Sequence, residues 1–447
     1  MTHILSLPPE ILHSICASLC NHCHASPPRD PFGGCFKGAQ FCADNKPRIV
    51  ALSAMVQTCT TLCDIARPYL YHYPCIEAVS RFLPRTIVER PDLAHHVKEL
   101  SVFDMMCQEE VSAELVGILR TFLREHEDVE GGTALQEARQ SVWYLDPSKD
   151  EVDGFEDIFN TLFTAMVLTK VPNLECLHLE LDHAHEFPFC QPDSLPHLKE
   201  LVVQHWDTEG GADITRSIGP ILLAAPALER LKGLLIGSAK WEEPTPLRHE
   251  GLKEIFLVSS AVGPEDISTL LGSFPRLEAF SYESGGGNEG WEEASPEQIG
   301  EAVLLCKDTL RFLAIDYTDS WWRDDMSRAH AMGSLAELKK LQKLRLDGVS
   351  LFREPTGTAS EMTICKMLPA SIVEVEITRP KLSILNEILE LARVASQKFP
   401  ALRRVSVVGF EQDTNNVLRQ AFGQTEIEFW AGSLEAQYPP KLWLMPA

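Results

Sequence analysis

The residues best suited to hold a metal lie near the start of the chain. Cys20, Cys23, Cys35 and Cys42, with His22 and His24 beside them, include one C-x-x-C pair. Thiolates and imidazoles in fours are the donor set of a tetrahedral zinc site. Cys35 and Cys42 are spaced too widely for a ribbon or finger, so the favoured reading is an irregular insertion carrying free thiols, with no metal and no cofactor. C-x-x-C also serves redox chemistry, but no strand-turn-helix context surrounds this one. Gly285, Gly287 and Gly290 satisfy G-x-G-x-x-G after an expected strand. Trp291-Glu292-Glu293 follow, however, and acidic residues repel a pyrophosphate where a helix start should attract it. The chain has no G-x-S-x-G elbow, Walker loop or H-E-x-x-H helix, so no catalytic constellation is in view and an enzyme is not expected.

Other side chains suit recognition. Trp206, Trp241, Trp291, Trp321 and Trp322 fall just beyond expected strands or in the loops after them, where large aromatics serve as interface anchors. Filling of loop interiors is the alternative for each, and Trp321-Trp322 beside Arg323, Asp324 and Asp325 is the best candidate for exposure. Between the recurring leucines described below stand Glu180, Glu200, Glu254, Glu283, Asp316, Asp347, Glu374 and Glu376, against Arg230, Lys343, Arg345 and Arg404. A phosphorylated ligand needs clustered arginines, and Lys343 with Arg345 is the nearest approach. A basic or unmodified protein is therefore the expected ligand, although an acidic excess is also the ordinary solvated surface of an acidic protein. The residues singled out for this contact are Trp206, Trp291, Trp321, Trp322, Glu180, Glu283, Asp316 and Arg345.

The elements that must position these groups follow from composition and periodicity. The chain has 447 residues, 45% hydrophobic and 23% charged, enough for a sizeable core. A net charge of -24 argues against a nucleic-acid partner, because no dense basic patch offsets the repulsion. No run of about eighteen apolar residues and no secretory leader pattern is found. Thirteen cysteines, several on expected apolar faces, suit a reducing compartment. The expectation is a soluble protein of the cytoplasm or nucleus, with no membrane partner.

A phrase apolar-x-x-apolar-x-apolar recurs as Val97/Leu100/Val102, Leu174/Leu177/Leu179, Leu198/Leu201/Val203, Leu228/Leu231, Leu252/Ile255/Leu257, Leu277/Phe280/Tyr282, Leu310/Leu313/Ile315, Leu341/Leu344/Leu346, Ile372/Val375/Ile377 and Leu402/Val405/Val407. From Leu174 the copies are about 24 to 33 residues apart, near the leucine-rich-repeat range. Helical patterns lie between them at 214–225, 264–273, 296–306 and 384–399. Residues 103–170 read as one enlarged repeat with helices near 109–125 and 155–168, and Ser284–Gly290 and Leu351–Glu361 read as exposed loops. One such unit cannot bury its own apolar face, so the expected fold is an α/β leucine-rich-repeat solenoid with a parallel concave sheet and helices on the convex side. The ninth repeat position carries Asp182, Trp206, Ser260, Gly285, Thr318, Val349, Pro380 and Phe410 where Asn or Cys usually bonds the turn. Uneven curvature is expected.

The N-terminus has a different pattern. Pro8 and Pro9 open a helix with Glu10 at its positive end, and Ile11, Leu12, Ile15 and Leu19 fall on one face. Periodicity stops over 21–48, returns with Leu52, Met55, Val56, Cys59, Leu62, Cys63 and Ala66, and is expected to end at Pro68. The phrase Leu7-Pro8-Pro9-Glu10-Ile11-Leu12, then Ile15 and Leu19, then Gln57-Thr58-Cys59 and Ala66-Arg67-Pro68-Tyr69-Leu70-Tyr71, resembles an F-box, with a longer connection between helices than that family usually has. The resemblance implies an N-terminal helical F-box module over 1–75, with an inserted Cys/His/Gly/Pro-rich loop at about 20–50, ahead of the repeat domain at 76–447. It further implies a non-catalytic substrate receptor of a Skp–cullin–F-box ubiquitin ligase. Its contacts with the Skp-type adaptor and cullin complex would come from Leu7, Pro8, Glu10, Ile11, Leu12, Ile15, Leu19, Leu62, Ala66, Tyr69 and Leu70, and a protein substrate would lie on the repeats. A leucine-rich-repeat scaffold that recruits no ligase is the alternative.

Overall fold

The computed structural model describes residues 4–20, 22–23, 38–74, 82–102, 113–129, 136, 139–140, 142, 156–181, 187, 189–205, 212–213, 218–237, 247–285, 293–317, 331–351 and 363–432. The protein is mixed α/β, with eleven strands in a parallel sheet and fourteen α-helices among the described residues. Its contacts divide it into two compact units: Met1–Val203 with Ser217–Leu228, and Gln204–Arg216 with Glu229–Ala447.

The first unit opens with helices α1 (Pro9–Leu19), α2 (Gly38–Thr58) and α3 (Thr60–His72). Helices α4 (Phe82–Glu89) and α5 (Pro91–Ala94) lead to strand β1 (Glu99–Val102). Then come α6 (Ala113–Glu125), α7 (Glu156–Leu168), β2 (Cys176–Leu181), β3 (Glu200–His205, whose last two residues group with the second unit) and α8 (Gly219–Ala224). Two expectations are corrected here. Helix α2 begins at Gly38, inside the segment expected to be irregular, because its first half lacks an apolar stripe although Ala, Gln and Lys favour helix. Helix α3 runs through Pro68 to His72. A proline inside a helix removes one backbone donor and crowds the carbonyl four residues back, which usually kinks or ends the helix, yet α3 continues for four residues beyond Pro68.

The second unit contains β4 (Ala212–Asp213), β5 (Arg230–Leu234), β6 (Ile236–Gly237), β7 (Glu254–Ser260), α9 (Pro264–Gly272), β8 (Ala279–Ser284), α10 (Pro296–Val303) and β9 (Phe312–Asp316). It continues with β10 (Lys343–Asp347), α11 (Gly348–Leu351), α12 (Ile364–Met367), β11 (Glu374–Thr378), α13 (Leu385–Lys398), β12 (Arg404–Val408), α14 (Gln412–Phe422) and β13 (Glu428–Gly432). Short β4 pairs with β6 in a separate two-stranded sheet.

Strands neighbour one another in chain order, as stacked repeats require, and the sequence phrases meet in register. Leu231, Ile255, Phe280, Leu313, Leu344, Val375 and Val405 form one continuous row, and Leu257, Tyr282, Ile315, Leu346, Ile377 and Val407 form the next. In the first unit Leu100 pairs with Leu177 and Val102 with Leu179. The leading apolar residues Val97, Leu174, Leu198, Leu228, Leu252, Leu277, Leu310, Leu341, Ile372 and Leu402 are all buried as well. Each buried leucine removes roughly 1.5–3 kcal/mol of apolar exposure. Gly233 interrupts the second row opposite Leu257. A Cβ there would stand 2.5 Å from Cγ1 of Ile236, so that isoleucine occupies the volume a repeat leucine would take.

Backbone bonding supplies the turn order that an asparagine ladder would otherwise give. The carbonyl of Lys253 accepts from the N–H of Glu278 and Ala279 at 2.7 and 3.0 Å, and that of Glu278 from Arg311 and Phe312 at 2.7 and 3.0 Å. The carbonyls of Arg311, Gln342 and Val373 do the same for the strand that follows each. Along the same edge Glu374 pairs with Lys343 at 3.5 Å and Arg404 at 3.8 Å, and Arg404 with Glu428 at 3.1 Å. These pairs are solvent-exposed and contribute about 0–1 kcal/mol each. Stability therefore resides in the rows. Leu313→Ala is expected to lower stability by about 2–5 kcal/mol and Glu374→Gln by under about 1 kcal/mol, read as shifts of the urea midpoint; equal shifts would contradict the assignment.

Candidate functional site

The helical module presents two kinds of surface. Leu12 and Cys16 of α1 pack with Leu52, Leu62, Ile65 and Ala66 in a small core, ringed by Leu19, Met55, Val56, Cys59, Tyr69 and Leu70. Pro8 caps α1 with Pro9 in the first turn, where its missing N–H leaves no bond unmade, and Glu10 faces the positive helix end. Away from the core, Ile4, Leu5, Leu7 and Ile11 are 42%, 42%, 37% and 46% exposed. Pro8 and Glu10 are exposed too, Ile15 is half-buried, and Val50 of α2 adds another exposed aliphatic. Four exposed aliphatics thus fall within eight residues. Leu12, Leu62 and Ala66, grouped with that face from the sequence, are buried and contribute to the module's own core.

At the end of this module four metal-ligating side chains converge: Cys20, His22, Cys23 and His72, with their ligand atoms all within 4.8 Å of one another. Cys20 ends α1, its N–H donating to the carbonyls of Cys16 and Ala17 at 2.9 and 3.2 Å. His22 and Cys23 form the turn that follows, and His72 lies in the last turn of α3. His72 Nδ1 is 3.6 Å from Cys20 Sγ and 3.3 Å from Cys23 Sγ, and His22 Nδ1 is 3.6 Å from Cys23 Sγ. Burial, then the neighbouring His22 and Lys98, pulls His72 down to about 4, so its imidazole is neutral at physiological pH. Burial and the adjacent Cys20 push the Cys23 thiol up to about 12. Cys20 and Cys23, noted from the sequence, thus meet here. Cys35 and His24 lie outside the described residues, and the backbone of Cys42 lies in α2. His72 was not singled out from the sequence. A smaller group, Cys176, His178 and Glu200, sits on β2 and β3, with Cys176 Sγ 3.2 Å from His178 Nε2. The nine cysteines whose side chains are described are free thiols.

The repeat-face residues divide. Trp206, Trp241, Trp291, Trp321 and Trp322, with Gly287 and Gly290, lie outside the described residues. Glu180 and Asp316 are half-buried, whereas Glu283 and Arg345 are 7% and 8% exposed. Strand β8 is buried along its whole length, Ser284 included. Ser284 is thus corrected from loop to buried strand, and Leu351 from loop to the end of α11. Arg345 pairs with Glu376 at 3.6 Å. Burial draws its guanidinium below the usual value, while Glu376, Asp316 and Glu283 oppose that loss. Asp347, 1% exposed, accepts bonds from the N–H of Val349 at 3.0 Å and of Ser350 at 3.2 Å, and from the Ser350 hydroxyl. These bonds fix the start of α11. Burial, then repulsion from Asp316, raises Asp347 to about 6 against that hydrogen bonding. The cluster is acids compensated by an arginine, with Ser350 bonded to Asp347 in the buried interior. The sequence reading also missed β13, whose Trp430 is 42% exposed.

A scan against protein-family models and a search of curated proteins returned no match to this chain.

A carboxyl whose folded pKa exceeds its unfolded value binds more protons when folded, so its contribution to stability is present below the unfolded pKa and is lost as pH rises through the folded one. For Asp347 that window runs from 3.8 to about 6. The melting temperature of wild type minus that of Asp347→Asn is expected to fall as pH rises through this window; a flat difference would show that the carboxyl titrates normally.

Proposed function

We propose that this chain is a non-catalytic substrate receptor of a Skp–cullin–F-box ubiquitin ligase. Its helical module would be an F-box, and its parallel-sheet repeats an irregular leucine-rich-repeat domain that holds a protein substrate. The observation that carries the reading is the exposed apolar start of α1. Leu7 and Ile11 remain in solvent beside Pro8 on a helix whose opposite side is already packed, in the sequence phrase that resembles an F-box. Burying such side chains against an apolar groove on the adaptor supplies binding energy that the free chain leaves unused.

In this reading the protein makes and breaks no bonds. It tethers a substrate beside a charged ubiquitin-conjugating enzyme, and the raised local concentration of substrate lysines accelerates transfer. Leu7, Pro8, Glu10 and Ile11 make the primary adaptor contact, with Ile15, Leu19, Tyr69 and Leu70 at its margin. Glu180 and Asp316 are the described repeat-face residues that reach solvent from the set read for the substrate. Glu283 and Arg345 act through the packing beneath. Among the described residues no helix is long and apolar enough to cross a membrane, and a reducing cytoplasmic or nuclear setting fits the free thiols.

The scaffold reading has its own observation. The module is tied to the first strand of its unit by the Lys98 N–H donating to the His72 carbonyl at 2.9 Å and by the Tyr73 and Ser101 hydroxyls 3.1 Å apart. A cap on the first repeat would show the same bonds. Co-purification separates the two. The wild-type chain is expected to capture a Skp-type adaptor, and a folded Leu7→Ala, Pro8→Ala, Ile11→Ala variant to lose it; no capture by wild type would leave the scaffold.

A further inference from the structure

Four metal-ligating side chains from two helix ends and one turn bring their donor atoms within 4.8 Å of one another. In a tetrahedron with bonds of about 2.3 Å to sulfur and about 2.0–2.1 Å to nitrogen, the sulfur–nitrogen edges are about 3.5 Å and the sulfur–sulfur edge about 3.8 Å. The Cys20–His72, Cys23–His72 and Cys23–His22 sulfur–nitrogen separations, 3.6, 3.3 and 3.6 Å, straddle that edge. With all four donor atoms within 4.8 Å of one another, closing the tetrahedron needs a contraction of at most about 1–1.5 Å along any edge. Both histidines bring Nδ1, and their rings stand edge to face with centroids 5.5 Å apart, so neither blocks the other.

We propose that Cys20, His22, Cys23 and His72 bind one structural zinc ion. Two thiolates and two imidazoles are the borderline-soft set that suits zinc, and hard-cation sites use oxygen instead. Protein atoms fill all four positions, which leaves no open place for water or substrate, so the ion is structural. Its effect follows from connectivity. Cys20 and His72 are 52 residues apart in sequence, and the ion closes that span at the free ends of α1 and α3. The module's core holds six buried residues, and helical units this small are commonly stabilised by a metal or a disulfide. Closing a long loop removes conformational freedom from the unfolded chain in the way a cross-link does. The inference concerns the module's integrity and holds whether or not the module docks an adaptor.

The test uses the full chain, purified under reducing conditions from zinc-supplemented culture and washed with a mild chelator. Elemental analysis is expected to give about one zinc per chain, which Cys23→Ser and His72→Ala lose and Cys35→Ser and His178→Ala keep. Cobalt substituted for zinc is expected to show tetrahedral ligand-field bands and a thiolate charge-transfer band, both absent in Cys23→Ser. Cys23 lies in the turn after α1 and outside the module's core cluster, so that variant removes a ligand without removing a core side chain, and its far-ultraviolet circular dichroism is expected to match wild type. A zinc-free wild type, zinc retained by both ligand variants, or zinc lost on Cys35→Ser would each overturn the assignment.

Discussion

The register of apolar side chains across successive parallel strands is the constraint on which the rest of the structure depends. A single unit of this chain, with strands of five residues such as Phe312–Asp316 and Lys343–Asp347, has too little surface to bury a leucine row by itself. Aligning Leu313 with Leu344 and Ile315 with Leu346 converts isolated leucines into continuous dry rows. Parallel pairing forces each connection to return to the same end of the sheet, and helices such as Pro264–Gly272, Pro296–Val303 and Leu385–Lys398 lie in those returns. The carbonyls of Lys253, Glu278, Arg311, Gln342 and Val373, each bonded twice by the strand that follows, lock the register through the backbone. Exposed ion pairs along the edge follow from this alignment and add little to its strength.

Much of that arrangement was legible because its signal is local and repeated. All ten apolar phrases fall on strands, and helices such as Leu385–Lys398 lie within a residue or two of their periodic stretches. What escaped has specific physical causes. Gly233 breaks the phrase because Ile236, three residues on, fills its place, a substitution visible after folding. Helix α2 lacks a one-sided apolar stripe in its first half, so periodicity could not mark its start. Pro68 was read as a stop because an interior proline loses a backbone bond and crowds the preceding turn, and α3 nonetheless runs on to His72. The alternation expected of a one-sided sheet holds in β2, where every second residue is half-exposed, and fails in β8, where all six are buried.

Site residues were less legible than the fold because their meaning depends on what lies opposite. Cys20, His22 and Cys23 drew attention as neighbours in sequence, but the fourth ligand comes from the far end of α3, and no spacing rule connects residue 20 to residue 72. The sequence reading ended this helix at Pro68, so nothing in it marked His72. Likewise Ile11 and Leu12 are adjacent and equally apolar, yet one is 46% exposed and the other buried. The helix period divides them, and the module's core selects which side faces inward. Charges between the repeat leucines looked alike in sequence; burial separates Arg345 and Asp347, which are compensated in place, from Asp316, which reaches solvent.

Calorimetric titration of the purified chain with a purified Skp-type adaptor tests the account's central claim most directly, because burial of exposed apolar groups leaves a negative heat-capacity change as its mark. One-to-one binding with that signature, abolished by Ile11→Asp in a chain of unchanged melting temperature, is the expected result. Absence of binding by wild type, or binding undiminished by Ile11→Asp, would contradict the receptor reading.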